Sequence, residues 1–192
     1  TSVTGVQTCA LPILRYTSDK KDFKVLSYNT GTTTLADFAK TNTIAAAPSD
    51  SKVNWDLSAS YALDKDTNVY ARIATGYRGT SIQGAGQFNN QSIATPENVI
   101  SYEAGIKADV LNRRGRVAFN VFSYEVKDIQ LTAVGGASNS NILLNAAKAT
   151  GQGFELDTQA LLTDNLVATL SVGYNDTKIK DPNLRSEEHT SE

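Results

Sequence analysis

The sequence predicts an all-β chain folded as an antiparallel up-and-down meander. Three observations predict it: several stretches alternate between apolar and polar residues, short polar turns join some of them, and long polar links join the others. Such alternation is typical of a strand whose two faces meet different surroundings, because successive side chains point to opposite sides. No apolar run approaches the roughly 18 residues of a transmembrane helix.

The alternation is clearest in VISYEAGIKADV, residues 99–110, where from Ser101 onward every second residue is apolar and the residues between are polar, charged or glycine. The same pattern runs through residues 55–63, 69–77, 154–162 and 166–175. Residues 116–134 also indicate a strand, although their aromatic residues do not share one face. Residues 14–28 are expected to form a strand pair or the end of one.

The connections alternate in length. The stretches LDKDTN (63–68), LNRRG (111–115) and LTDN (162–165) are turns of hairpin length. Between them run links over 29–51, 79–98 and 135–145, rich in Gly, Ser, Thr, Asn and Gln. A meander therefore has its short turns at one end and its long links at the other. With strands of about ten residues, this asymmetry is typical of outer-membrane barrels.

The charged face identifies the two environments. A Lys such as Lys107 turned toward lipid at mid-bilayer costs roughly 2–4 kcal/mol, and an acid such as Glu103 or Asp109 costs less. We therefore expect the apolar face to meet lipid and the charged face to line a wide, hydrated barrel. Aromatic residues suited to a girdle at the headgroups, with ordinary cross-strand packing as the alternative, are Trp55, Tyr61, Tyr77, Tyr102 and Tyr174.

Both ends of the chain are predicted to be translated sequencing adapter. RSEEHTSE (185–192) and VTGVQTCALPI (3–13) back-translate into DNA strings that are reverse complements over their shared length and match a widely used short-read adapter. We exclude residues 1–13 and 185–192 from fold reasoning, which leaves residues 14–184. The single Cys9 and the single His189 fall in the excluded segments, so no nucleophile–base pair or metal pair is expected.

Composition excludes several functions for residues 14–184. Without Arg185 and the three Glu of 185–192, the 18 Lys+Arg and 20 Asp+Glu become 17 of each, so no basic excess attracts nucleic acid. The stretch has no Cys and no His, which excludes thiolate zinc sites and His-based triads. We expect no enzyme, cofactor or metal. The acids Glu103, Asp109, Glu155 and Asp157 are read as a solvated wall, and GAGQFNN (84–90) lacks the spacing of a phosphate-binding loop.

The motifs, in their order and spacing, resemble the β-barrel of TonB-dependent outer-membrane receptors. That family has a Pro-Glu pair, then Ser-Tyr-Glu-x-Gly-x-Lys, then Tyr-x-x-Lys-Asp; here these are Pro96, Glu97, Ser101, Tyr102, Glu103, Gly105, Lys107, Tyr124, Lys127 and Asp128. Segments 14–23, 68–84, 145–157 and 162–179 match as well, so the resemblance covers most of 14–184. Where many members continue Gly-[Tyr/Phe]-Arg with Ala-Pro, this chain has Gly79 and Thr80, which leaves the subfamily open.

The resemblance implies a partial wall of a large barrel, of about 22 strands, in the outer membrane of a Gram-negative bacterium. It implies active uptake of a scarce nutrient: a ferric siderophore first, with cobalamin or a saccharide as alternatives. The implied partners are outer-membrane lipid, the nutrient ligand, and the TonB complex acting through a plug domain. We expect the plug, the TonB box and the aromatic-ended last strand to lie outside this fragment.

The candidate ligand-binding residues lie at one strand end and in the link that follows it. They are Tyr77, Arg78, Gln83, Gln87, Asn89 and Asn90. Binding groups gather on loops held by a rigid scaffold, and a guanidinium suits an anionic ligand such as a siderophore carboxylate. An arginine simply solvated at the rim is the alternative.

Two other classes of protein stay open on sequence alone. A small, self-closed outer-membrane barrel, porin-like or adhesin-like, predicts about eight strands in one closed sheet. A soluble β-sandwich acting as a binding module predicts a second sheet packed on the apolar face.

Overall fold

The computed structural model of the chain describes residues 8–27, 42–83, 93–135 and 140–181. Within these ranges the regular elements are all β-strands, and no helix is long and apolar enough to cross a membrane. The strands are β1 (Thr8–Lys20), β2 (Phe23–Ser27), β3 (Asn42–Ala46), β4 (Ser49–Ala62), β5 (Thr67–Arg78), β6 (Ser81–Ile82), β7 (Ile93–Ala94), β8 (Glu97–Val110), β9 (Gly115–Gly135), β10 (Ser140–Thr163) and β11 (Leu166–Lys180).

Seven strands form one antiparallel sheet in the order β1-β4-β5-β8-β9-β10-β11. The other four form two ribbons, β2–β3 and β6–β7, which continue the β1/β4 and β5/β8 hairpins away from the sheet. Lys21 N donates to Pro48 O at 3.0 Å between β1/β4 and its ribbon. The predicted up-and-down meander is confirmed. Within the described residues the sheet is open, with β1 and β11 as its edges.

The predicted strand length of about ten residues is wrong, because parts of the predicted links are strand. β10 has 24 residues and begins at Ser140, inside the expected link 135–145. The 21 residues of β9 extend the predicted stretch 116–134 by only one residue at each end. The first residues of β10 lack the apolar–polar alternation that sequence reading uses, because Ile142, Leu143 and Leu144 stand in succession, yet their backbones pair with β9 all the same.

The three short turns lie where the sequence predicts them, at 63–66, 111–114 and 164–165. The 111–114 turn is unusual because Leu111, Asn112 and Arg113 all have positive φ, at 54°, 55° and 67°. Adjacent turns are joined by an ion pair between Arg113 and Asp66 at 2.8 Å. Asp64 Oδ1 accepts from the backbone N of Asp66 at 2.7 Å, and this bond lowers the pKa of the Asp64 carboxyl.

The two faces of the sheet differ as the alternation predicts. The outer face, defined as the one that carries Trp55, Leu57 and Tyr61 on β4, is exposed at these residues. The polar face, which carries Asp56 and Ser58 on the same strand, is half-buried there. In the described residues no second sheet covers the outer face, so the sandwich alternative lacks the layer that it requires.

Cross-strand rows show how continuous the outer face is from β8 to β11. Four successive rows hold no charged residue: Ala104–Val121–Phe154–Tyr174, Ile106–Phe119–Leu156–Val172, Ala108–Val117–Thr158–Leu170 and Val110–Gly115–Ala160–Ala168. The Phe119 and Phe154 ring centroids are 6.1 Å apart, and those of Phe154 and Tyr174 are 5.9 Å apart. These rows form a continuous uncharged surface, which is apolar except for Thr158 and the Tyr174 hydroxyl.

Three of the five proposed girdle aromatics do not lie at strand ends, since their strands are longer than predicted. Trp55, Tyr102 and Tyr174 stand exposed inside their strands, near the border where apolar residues give way to polar ones. Tyr61 is exposed beside the short-turn end of β4. Tyr77 differs from these four because it is half-buried.

Aromatic rings on the polar face lie over glycines of neighbouring strands. Tyr70 covers Gly105, Tyr124 covers Gly151 and Phe122 covers Gly153, each as a register pair. A Cβ on any of these glycines would enter the ring's space, so the absence of a side chain is what lets the rings pack flat against the sheet.

Gly153→Ala is expected to lower the free energy of unfolding of the complete receptor by about 1–3 kcal/mol, the usual cost of overpacking. The new methyl would meet the Tyr174 carbonyl oxygen and stand 2.7 Å from Phe122 Cζ. Gly173→Ala is the matched control, because no atom of the described residues lies within 4 Å of a Cβ built there. Equilibrium urea unfolding of both variants in lipid vesicles measures the difference, and equal losses would contradict this packing account.

The assignment of the two faces predicts opposite responses at adjacent residues of β9. Val121 lies in the apolar rows, whereas Asn120 lies on the polar face and donates to Glu155. Val121→Arg should destabilise the bilayer-inserted receptor by about 2–4 kcal/mol, while Asn120→Arg should cost less than about 1 kcal/mol. The yield and stability of vesicle-refolded protein measure both, and similar costs would contradict the assignment.

Candidate functional site

The candidate site is the rim at the long-link end of the sheet, where Gln130 of β9 holds the segment that leaves β5 and returns to β8. Gln130 is only 7% exposed. Its Nε2 donates to Gly79 O at 2.9 Å and to Thr95 O at 3.0 Å, and its Oε1 accepts from Ser81 Oγ. One side chain thus fastens both arms of this segment to the sheet.

A second set of hydrogen bonds holds the backbone of Thr80, on the β1/β4 side of the same segment. Thr80 is 6% exposed, and its backbone N donates to Asp50 Oδ2 at 2.9 Å. Its carbonyl accepts from Lys21 Nζ at 2.5 Å, and Lys21 also pairs with Asp19 at 2.6 Å. Two carboxylates and one ammonium group therefore fix the bend that follows β5.

Asn145 of β10 makes a third set of hydrogen bonds, on the side of the segment that leads into β8. Its Oδ1 accepts from the backbone N of Thr95 at 2.7 Å, and its Nδ2 donates to Thr95 O at 2.9 Å. The same Nδ2 donates to Asp128 O at 2.6 Å, next to the positive φ of 55° at Asp128. These three sets of hydrogen bonds hold the described parts of the segment against the sheet.

Arg78 is the last residue of β5 and stands exposed at this rim. The register places it opposite Glu97, and the alternation of β5 places it on the polar face with Tyr70 and Arg72. The Glu97 carboxylate accepts from the backbone N of Gln130 at 2.8 Å. Within the described residues Arg78 has no ion pair, so its guanidinium is available to an external anion.

The other predicted site residues divide into three groups. Tyr77 is half-buried, and its hydroxyl has no hydrogen-bond partner among the described residues. Gln83 is engaged with the scaffold, because its Oε1 accepts from the backbone N of Leu143 at 3.1 Å. Gln87, Asn89 and Asn90 lie outside the described residues.

Sequence reasoning missed the residues that build the rim: Gln130, Thr80, Asn145 and Asp50. Each has a partner that lies far along the chain, such as Gly79, which is 51 residues from Gln130, and Thr80 is held through its backbone N and O. No local spacing encodes such pairs. The one available signal was a Gln inside a strand-like run, at a position flanked by Ile129 and Leu131.

The polar face between the rim and the turns is a network of paired groups. Arg72 binds Asp56 at 2.5 Å, and Tyr70 Oη donates to Glu103 Oε1 at 2.6 Å. The remaining acids considered as catalytic pairs each have a partner: Arg116 for Asp109, Asn120 for Glu155 and Ser171 for Asp157. In the described ranges no group of three or more His, Cys, Asp or Glu is arranged to hold a metal ion. The arrangement suits a hydrated wall.

An open sheet with one apolar face, one ion-paired face and a braced rim at the long-link end defines a segment of an outer-membrane receptor barrel. A family model described as TonB dependent receptor-like, beta-barrel, matches residues 14–189. The chain belongs to the TonB-dependent receptor family, and the matched part is the barrel. The resemblance and the fold class predicted from the sequence are confirmed.

Individual relatives agree with this family. The pesticin receptor of Yersinia enterocolitica is 34% identical over 111 residues, which are 56% of this chain and 16% of that receptor. The ferric yersiniabactin uptake receptor FyuA from Yersinia pestis superposes with a TM-score of 0.70 at 21% identity, over 90% of this chain and 24% of that chain. The copper transporter OprC gives a TM-score of 0.70 at 16% identity, over 90% and 27%. The chain therefore spans a minor part of these proteins, and the structural likeness shows the fold alone.

Gln130→Leu is expected to lower the free energy of unfolding of the complete receptor by about 1–3 kcal/mol, because buried partners lose their hydrogen bonds. Gln159→Leu is the matched control, since Gln159 is exposed on β10. Chemical denaturation in detergent micelles compares the two. An unchanged midpoint for Gln130→Leu would show that the rim does not depend on this side chain.

Proposed function

We propose that the chain is part of the wall and outer rim of a receptor that takes up a ferric siderophore. Membership of the TonB-dependent receptor family supports the broader statement, because that family consists of outer-membrane nutrient-uptake receptors of Gram-negative bacteria. The proposal that the nutrient is a ferric siderophore is more specific than the family. The observation that carries it is the guanidinium of Arg78 at the rim of the polar face, which has no ion pair within the described residues.

The charge of Arg78 favours an anionic ligand over the other candidates. Arginine binds carboxylates through two parallel N–H···O bonds, and ferric siderophores with carboxylate groups present such oxygens. A copper ion would instead need soft or imidazole ligands, whereas residues 14–184 contain neither Cys nor His. An uncharged saccharide would gain little from the Arg78 guanidinium and would depend more on the amide side chains at the rim.

The proposed partners follow from the two faces. The outer face presents uncharged cross-strand rows from β8 to β11, which suit outer-membrane lipid. The polar face presents paired acids and bases, which suit a hydrated interior and a plug domain. Energy would come from the TonB complex acting through that plug. The relatives' greater length supports a plug elsewhere in the complete receptor.

We further propose that residues 1–13 and 185–192 are not part of the receptor. The family match begins at residue 14, although it ends at 189, inside the second segment. The pairing of β1 with β4 supplies an independent argument. Leu14 and Tyr16 share the outer face with Trp55 and Val53, whereas Leu11 and Ile13 fall opposite Ser58 and Asp56 on the polar face. The alternation thus fits the barrel from Leu14 onward and fails before it.

Arg78→Ala in the complete receptor should weaken binding of an anionic ferric siderophore by about tenfold or more, the loss of a charge-assisted hydrogen bond. Arg116→Ala is the control, because Arg116 carries the same charge on the polar face at the opposite, short-turn end of the sheet. Quenching of receptor fluorescence by a carboxylate-bearing ferric siderophore gives both affinities. Unchanged affinity in Arg78→Ala would contradict the proposed role of Arg78.

A further inference from the structure

Three lysines lie side by side on the outer face, one on each of β9, β10 and β11. The register pairs Lys148 with Lys127 on one side and with Lys180 on the other. Lys178 lies one cross-strand row nearer the apolar rows, two residues before Lys180 on β11 and opposite Thr150. We call Lys127, Lys148 and Lys180 the lysine row.

Such a row is unfavourable within the sheet itself. Like charges directly opposite one another on neighbouring strands destabilise the pairing. The local acids offset the charge only in part: Glu125 binds Lys148 at 2.5 Å and lies 3.9 Å from Lys127, and Asp176 binds Lys178 at 2.8 Å. Lys180 has no ion pair within the described residues. A third carboxylate, that of Asp181, accepts from the backbone N of Ala147 at 2.7 Å, beside Lys148. Four ammonium groups therefore lie among three carboxylates in this part of the sheet, and the surplus is positive.

The position of the lysine row along the strands indicates which surroundings face its excess of positive charge. Along each strand the lysines lie beyond the uncharged rows, toward the end of the sheet that carries the long links. That end of an outer-membrane barrel faces the cell exterior, and residues just past the apolar band lie among lipid headgroups. Long lysine side chains reach along an apolar surface and place their ammonium groups at this level.

The neighbouring groove is amphipathic. It measures about 490 Å³, and its lining includes three lysines (127, 178 and 180), the carboxylates of Glu125 and Asp176, and Ile100 and Tyr102. Directly below Tyr102 the outer face continues as the row from Ala104 to Tyr174. A groove with an excess of ammonium groups thus adjoins an apolar surface, which suits a molecule with negative charge at one end and hydrocarbon at the other better than a free anion.

We propose that the lysine row binds the phosphate group of an anionic membrane lipid in the surrounding leaflet, with the lipid's acyl chains on the apolar rows. This inference rests on the proposed membrane placement of the outer face, and not on the ligand that the receptor transports. Phosphate oxygens accept from several lysines at once, so one headgroup relieves the repulsion along the row. The bound lipid then serves as a fixed part of the receptor's outer surface.

The test uses the complete receptor in detergent, titrated with phosphatidic acid and, separately, with diacylglycerol, which lacks the phosphate. Native mass spectrometry counts the retained lipid. The variant K127Q/K180Q removes two charges of the row and leaves the Lys148–Glu125 pair in place. K65Q/K107Q is the matched control, because Lys65 lies in the 63–66 turn and Lys107 lies over the Tyr70 ring on the polar face.

We expect the receptor to retain phosphatidic acid and not diacylglycerol. K127Q/K180Q should weaken that retention about tenfold or more, from about 1 kcal/mol per lysine, while K65Q/K107Q should not. Equal retention of both lipids, an equal loss in the control, or full displacement by inorganic phosphate at the same concentration would each overturn the assignment. Normal lipid retention without binding of a ferric siderophore would support it and would contradict the proposed function separately.

Discussion

The structure depends on one constraint: a single-layer sheet must satisfy its backbone hydrogen bonds within itself while its two faces meet different surroundings. An unpaired backbone group costs several kcal/mol in hydrocarbon, so each strand needs a partner on both sides. Five of the seven sheet strands have two partners within the described residues, and β1 and β11 have one. The open edges are where further strands of the family's barrel would continue the ladder.

The same constraint explains why stability is distributed as it is. No buried apolar core of the usual kind exists in the described residues, where the fully buried hydrophobic residues are Ala94, Ala146 and Ala149. Two of these three lie on β10, and Ala94 lies in the β6–β7 ribbon, so burial is concentrated near the rim. In the rest of the sheet, ladder bonds and ion pairs hold the polar face. Lipid has to supply what a second sheet supplies in a sandwich.

The rim shows how a receptor segment combines a rigid wall with exposed ligand-binding groups. The side chains of Gln130 and Asn145 bind backbone atoms, and the backbone of Thr80 is bound by Asp50 and Lys21, so these hydrogen bonds fix the path of the chain whatever side chains it carries. Arg78, by contrast, has its neighbour Glu97 already engaged by the Gln130 backbone. Within the described residues, Arg78 therefore stands without an ion pair on a rim that these hydrogen bonds hold in place.

Periodicity predicted the faces, the meander and the short turns, because each depends on neighbours in sequence. It predicted β9 to within one residue at each end, but it failed for the first residues of β10, which lay in the predicted link and where Ile142 to Leu144 are apolar in succession. It failed again for the rim, since the partners of Gln130 and Asn145 lie 17 to 51 residues away. The lysine row was equally hidden, because Lys127, Lys148 and Lys180 become neighbours only through the register.

The central claim is that the outer face of the sheet meets lipid and the polar face meets water. The most direct measurement is spin-label accessibility at Phe119, Asn120 and Val121 in the complete receptor in a bilayer, with a single labelled cysteine introduced at one of these positions at a time. The account predicts that labels at 119 and 121 are relaxed by oxygen, which partitions into lipid, and that the label at 120 is relaxed by a water-soluble nickel complex. Equal accessibility at all three positions, or the reverse pattern, would contradict it.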